Sequence, residues 1–310
     1  MRVLIVGGTG FVGSHLVRRC IAEGHRVDVV ARPSSDISRL TPVLASIGLH
    51  RLSLLDAAEV GHCLSETRPT HIFYLVGATK RRHEPGVAQA ALEEAAGFLT
   101  LVQEAAKATS RVRCFVRTGS IAEYGVARVP FQEGQREHPD NGYAAAIVAG
   151  TYYAQALAPQ LPFPLITARL ALVYGPGQAS DFLVPSLIAS CTSGKSIKLG
   201  RPLDRRDLIH VSDAVDALYR MGTAGLSGGE IVNVGSGEAV GVAELAAIVA
   251  ALAGADSTLV QCSAQSDPVT LQLSSARAEQ LIGWRPRIDI VSGIKGLIAE
   301  CRRGERVAAA

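Results

Sequence analysis

The chain has little of what several functional classes require. Aromatic residues make up only 5% of it, Lys and Arg outnumber Asp and Glu by 31 to 28, and the longest basic run is Lys80-Arg81-Arg82. That balance provides no cationic face for a phosphate backbone, so nucleic acid is not an expected partner. Apolar stretches are short and broken by Gly, Pro or charge, so no membrane partner is expected either. The six cysteines (Cys20, Cys63, Cys114, Cys191, Cys262, Cys301) form no C-x-x-C pair. Their scatter argues against a metal site and fits free thiols in a reducing compartment. The opening strand runs straight into glycines, which is not the layout of a signal peptide, and a cytoplasmic setting is expected.

What is present is a globular composition, 48% hydrophobic and 19% charged over 310 residues. This is enough chain for a large α/β domain carrying a smaller lobe. Apolar runs at Val3 to Val6, Arg26 to Val30, His50 to Leu55, His71 to Val76, Val112 to Arg117 and Leu165 to Leu170 read as strands. Helical spacing separates them, notably over Phe11 to Glu23, Gly86 to Thr109 and Tyr143 to Ala158. Alternation of this kind predicts parallel βαβ units buried on both faces: a doubly wound Rossmann domain over 1–170. After Tyr174-Gly175-Pro176-Gly177 the segments are shorter and more mixed. They predict a smaller C-terminal α/β substrate lobe over 171–310, with segments around 207–235 returning to the first domain.

The first turn reads G-G-T-G-F-V-G, placing Gly7, Gly10 and Gly13 at G-x-x-G-x-x-G spacing after a strand and at the start of a helix. In that context Gly7 permits the tight turn, Gly10 lets backbone approach a pyrophosphate, and Gly13 lets helix and strand pack closely. Thr9, Phe11 and Val12 share the loop, whose helix start offers free N–H groups to an anion. Leu75 and Gly77, at the end of the fourth strand, are further candidate cofactor contacts. The second strand ends in Ala31-Arg32-Pro33-Ser34-Ser35, with an arginine where an NAD-binding fold places an acid for the ribose 2′-hydroxyl. Arg32 suits a 2′-phosphate, which favours NADP(H) over NAD(H). Asp56 is a candidate for the adenine amino group, or a turn-forming aspartate.

Five stretches carry a resemblance: the glycine loop, T-G-S-I-A-E-Y-G at Thr118 to Gly125, Tyr143 at the start of a helix, R-L-A-L-V-Y-G-P-G-Q at Arg169 to Gln178, and R-R-D-L-I-H-V-S-D-A-V at Arg205 to Val215. Together they resemble the extended short-chain dehydrogenases, and more narrowly the NAD-dependent epimerase/dehydratase family acting on nucleotide sugars. Within it the pattern is most similar to the 4-keto-6-deoxy nucleotide-sugar reductases, GDP-4-keto-6-deoxymannose reductases among them. The resemblance implies that Tyr143 is the general acid/base and that Ser120 hydrogen-bonds the same substrate oxygen. It implies substrate contacts from Arg206, with an ion pair to a nearby acid as the equal reading, from Glu123, with a solvent-facing acid as the other reading, and from Tyr174. It also implies a nucleotide-activated sugar as substrate and a homodimer built on the long helices.

The sequence departs from the pattern at one telling position. The family carries Y-x-x-x-K, whose lysine stabilises the phenolate and holds the nicotinamide ribose; here the stretch is Y-A-A-A-I, with Ile147 in the lysine's place. Glu94 and Leu172 replace asparagines of the pattern, and Ile121 and Ala122 stand where dehydratases place an acidic pair, which argues against 4,6-dehydration. A phenol of pKa about 10 is protonated at neutral pH and can donate a proton unaided. The leading expectation is therefore NADP(H)-dependent reduction of a 4-keto nucleotide sugar, with a compensating cation from Lys80, Arg81 or Arg82 as one route to fuller activity. Two other readings stay open: a C4 epimerase that retains its cofactor, and a non-catalytic NADP(H)-binding sensor or partner protein.

Overall fold

A computed structural model describes residues 1–77, 87–108, 112–264 and 266–308. The run Lys80-Arg81-Arg82 lies outside the described residues. The first half alternates as the spacing predicts: β1 (Arg2–Val6), α1 (Phe11–Ala22), β2 (Arg26–Ala31), β3 (Ile47–Arg51), α2 (Ala57–Thr67), β4 (His71–Tyr74), α3 (Val87–Lys107), β5 (Cys114–Ser120), α4 (Gly142–Leu157) and β6 (Leu165–Leu170). The second half continues with β7 (Leu172–Tyr174), α5 (Leu183–Ser193), β8 (Ile197–Leu199), β9 (Arg205–His210), α6 (Val211–Thr223) and β10 (Ile231–Val234). It closes with β11 (Ala239–Gly241), α7 (Val242–Ala253), β12 (Val260–Cys262), β13 (Thr270–Leu271), α8 (Ala276–Ile282) and α9 (Ile290–Ala308).

Seven strands form one sheet in the order β10-β6-β5-β4-β1-β2-β3, and every pairing in it is parallel. Successive β1 residues feed opposite cores, because side chains alternate across a strand. Val3 and Ile5 pack with Leu16 and Val17 of α1 and Ala214 and Leu218 of α6. Leu4 and Val6 pack with Val60 of α2, Phe98 and Leu101 of α3 and Ala154 of α4. Both faces are covered, which is why the strands read as unbroken apolar runs. β10, supplied by chain well beyond residue 170, forms the sheet's far edge against β6.

The lobe has its own core, where Leu187 of α5, Leu245 and Val249 of α7 and Ile294 of α9 are fully buried. β9 links the lobe's strands, pairing with β7, β11 and β13.

The third strand runs Ile47–Arg51 rather than His50 to Leu55. The reason is Asp28, buried on β2, which sets the register through its partners on β3. Gly48 stands opposite it and leaves room for its carboxylate, while His50 Nε2 bonds Asp28 Oδ1 at 2.9 Å. The fifth strand also shifts, to Cys114–Ser120, which carries Ser120 to the carboxyl edge of the sheet.

Candidate active site

The sheet order reverses between β1 and β4, and ligands of open α/β sheets bind in the crevice at the carboxyl ends of such strands. The glycine loop occupies this point. Gly7 has φ +84°, and a Cβ there would stand 2.6 Å from the Leu75 carbonyl beyond β4. A Cβ at Gly13 would collide with the Gly7 carbonyl oxygen. Gly10 N donates to Gly7 O at 3.0 Å, closing the turn, and then serves as N-cap of α1. That cap has no side chain, and the first turn of α1 holds no acid. The leading N–H groups therefore have neither a side-chain acceptor nor a neutralising carboxylate, which is the polarity a pyrophosphate needs.

Arg32 is exposed immediately after β2. The first carboxylate after it, Asp36, is turned back on Ser38, accepting from its N and Oγ at 2.8 Å each. Asp56 is the N-cap of α2, its Oδ1 accepting from Ala58 N at 2.9 Å and Glu59 N at 3.1 Å. Its turn-forming role is thus visible, and any adenine contact falls to its other oxygen.

At the other end of the crevice, Ser120 ends β5 and caps the 3₁₀ turn Ile121–Tyr124, its Oγ accepting from Ala122 N at 3.1 Å. Tyr143 is the second residue of α4, half-buried, and Asn141 caps that helix through Ala144 N at 3.0 Å. Ile147 is buried one turn on, on the face of α4 that lies against β5.

Behind these residues lies a buried polar network that sequence reasoning missed. Glu123 is completely buried. Its Oε1 accepts from Ser120 N at 2.9 Å, and its Oε2 accepts from Thr151 Oγ1 at 2.7 Å and Arg169 Nε at 2.9 Å. Arg169, also fully buried, bridges Glu123 to Glu137, and Glu137 accepts from the Tyr152 hydroxyl at 2.8 Å. Burial opposes the Arg169 charge, but Glu123, Tyr124 and Glu137 outweigh it and raise its pKa. Arg117, inside β5, donates from Nη1 to Thr151 Oγ1 at 2.8 Å and from Nη2 to the Ile147 carbonyl at 3.4 Å. Burial lowers its pKa, and its guanidinium lies 5.3 Å from the centre of the Phe98 ring. Gly150 makes the space: a Cβ there would stand 2.5 Å from Arg117 Nη2. The available signal was a charge in the middle of each apolar strand, Arg117 in C-F-V-R-T and Arg169 in L-I-T-A-R-L, since a buried charge demands a partner.

A model of the NAD dependent epimerase/dehydratase family matches residues 3–235. The chain belongs to this family. It is 28% identical to the UDP-glucose 4-epimerase of Mycolicibacterium smegmatis over 95% of this chain and 96% of that one. It is 25% identical to the GDP-6-deoxy-D-mannose reductase of Pseudomonas aeruginosa, over 96% of both chains. Among solved structures, the Thermus thermophilus UDP-glucose 4-epimerase in complex with NAD superposes with a TM-score of 0.83 at 25% identity, over 97% of this chain and 99% of that one. The family is one of enzymes, and this chain is an enzyme of it.

Of the residues expected to act on substrate, Ser120 stands at the end of β5 and Tyr143 at the start of α4, while Glu123, Tyr174 and Arg206 are engaged within the fold. Glu123 is consumed by the buried network and presents no atom to solvent. Tyr174 is buried in the lobe, its ring edge-on to His210 and its hydroxyl where a Cβ on Gly293 would fall. Arg206 pairs with the buried Asp204 and donates to the Val269 carbonyl at 2.8 Å. Asp207 beside it accepts from the backbone of Ser236, Gly237 and Leu273, joining β9 to the loop after β10. No group of three or more metal-ligating side chains occurs among the described residues. No helix among them is long and apolar enough to cross a membrane.

Proposed function

We propose that the enzyme reduces a 4-keto nucleotide sugar with NADPH. The observation that carries this reading is the end of β2, where Arg32 is exposed and the following carboxylate of Asp36 is committed to Ser38. A site that selects the phosphorylated cofactor suits net reduction, in which cofactor is consumed and exchanged at each turnover. When bound, the cofactor supplies the hydride. The chain's own part is to hold the carbonyl oxygen and protonate it. Tyr143 donates the proton, and Ser120 donates a hydrogen bond to the same oxygen. Ser120 Oγ is already an acceptor for Ala122 N, which fixes its lone pairs inward and leaves its proton for the substrate. A phenol serves as donor at neutral pH without a neighbouring cation. The apolar Ile147 is compatible with that direction of proton flow and hinders the reverse, which an epimerase needs in each cycle.

The test is NADPH consumption with 4-keto-6-deoxy sugars carried on GDP, UDP and dTDP. Consumption should fall by about 10²–10⁴-fold in Tyr143→Phe, the usual contribution of a positioned general acid. Purified protein that retains oxidised cofactor and interconverts sugars with no net consumption would instead identify an epimerase. Cofactor binding with no turnover on the panel would leave a binding protein. Self-association belongs to the same proposal. Leu92 of α3 and Tyr152 and Tyr153 of α4 are exposed on packed helices, a face suited to a second copy and testable by sedimentation.

A further inference from the structure

One strand beyond Arg32 lies a cation that the family motifs do not include. Arg51 is the last residue of β3 and pairs in register with Ala31, the last residue of β2. Its Nη1 donates to three carbonyls of the loop after β2: Arg32 at 3.3 Å, Pro33 at 2.7 Å and Ser35 at 3.3 Å. Three carbonyls converging on one nitrogen fix the curvature of that loop, and with it the place from which the Arg32 side chain starts. Neither Arg51 nor Arg32 is in an ion pair with a carboxylate among the described residues, and Arg51 is exposed. Arg51 therefore retains Nε and Nη2 as donors in a planar fork, the geometry that matches phosphate oxygens.

We infer that Arg51 is a second specificity-determining residue of the cofactor site. Through Nη1 it shapes the Arg32–Ser35 loop, and through its remaining N–H groups it joins Arg32 in binding an adenosine 2′-phosphate. This rests on the NADP(H) reading above, but it makes a separate claim. A single arginine would hold the 2′-phosphate from one side. Two arginines from neighbouring strands hold it from two, and only one of them also anchors the loop.

The experiment is calorimetric titration of the full chain with NADPH, NADH, 2′,5′-ADP and 5′-AMP, none of which requires turnover. Arg51→Gln should weaken NADPH and 2′,5′-ADP by about tenfold or more, the loss of a charge-assisted hydrogen bond, and leave NADH and 5′-AMP unchanged. Arg51→Lys, which keeps the charge but not the fork, should fall between. Unchanged NADH affinity also verifies that the variants are folded. Equal weakening of NADPH and NADH would reduce Arg51 to a loop support and overturn the inference, as would unchanged NADPH affinity. Wild-type protein that binds NADPH and NADH alike would overturn the NADP(H) reading together with this one. Selectivity that collapses in Arg32→Gln but survives Arg51→Gln would overturn the Arg51 claim alone.

Discussion

Between Gly7 and Arg51 the carboxyl edge of the sheet leaves its two arginines without carboxylates. α1 has no capping side chain, and Arg32 and Arg51 have no carboxylate partner among the described residues. Between Ser120 and Arg169, a few strands away, the carboxylates are consumed by neighbours: Glu123 and Glu137 share Arg169, and Thr151 joins Glu123 to Arg117. The first region is built to receive charge from outside. The second is built to hold Ser120 and the helix carrying Tyr143 in fixed relation, with Glu123 bonded to the Ser120 backbone on one side and to Thr151 of α4 on the other. Ile147, where the family pattern has a lysine, is thus set against a buried charged network that ties β5 to α4 and β6.

The comparison can be broken hardest at Glu123. Glu123→Ala leaves Arg169 buried beside a single remaining carboxylate and should cost about 3–5 kcal/mol of stability, the usual result of breaking a buried pair. Chemical denaturation measures it, and a loss below 1 kcal/mol would show that the network is not the scaffold described.

The open region is broken next at Gly13. Gly13→Val sets a side chain against the Gly7 carbonyl. Overpacking of this kind costs about 1–3 kcal/mol, here concentrated on the turn that meets the pyrophosphate. NADPH and NADH should both lose affinity in calorimetry while the melting temperature drops only modestly. Selective loss of one cofactor would contradict the assignment of this loop to the shared pyrophosphate.

The effect that vanishes at neutral pH sharpens the contrast from the opposite edge of the sheet, where His71 begins β4. Burial pushes its pKa down from 6.5 to about 4. Below pH 6.5 the unfolded chain binds a proton that the folded chain refuses, so stability declines as pH falls from 6.5 toward 4, and is insensitive to this group above 6.5. His71→Gln should flatten the stability–pH slope in that window by up to about one proton. Retention of the full slope would place the acid sensitivity elsewhere.

Much of this molecule was legible in its sequence because the signals were local. The glycine triplet, the apolar strand runs and the spacing of Ser120 from Tyr124 each depend on neighbours within a few residues. β6 could be read residue for residue for the same reason. What escaped depended on distant partners. Nothing near Ile47 announces that Asp28 on another strand will set its register. Glu123 read as a substrate contact because two of its three partners, Thr151 and Arg169, lie on α4 and β6. Tyr174 was expected to contact substrate, yet it is covered by α9, more than a hundred residues later.

β10 has a consequence for how the protein can be cut. The strand that seals the sheet beside β6 arrives only after β7, α5, β8 and β9, and α6 and α8 help to cover that side. A fragment ending near residue 170 would keep the cofactor loop but strip the shield from β6, whose six residues are all buried in the intact chain. It would present an apolar, unpaired strand edge, the template from which intermolecular sheets grow. The first 170 residues are therefore not a separable module. Their last strand, β6, is covered along one edge by a strand that the chain supplies only after β9 and α6.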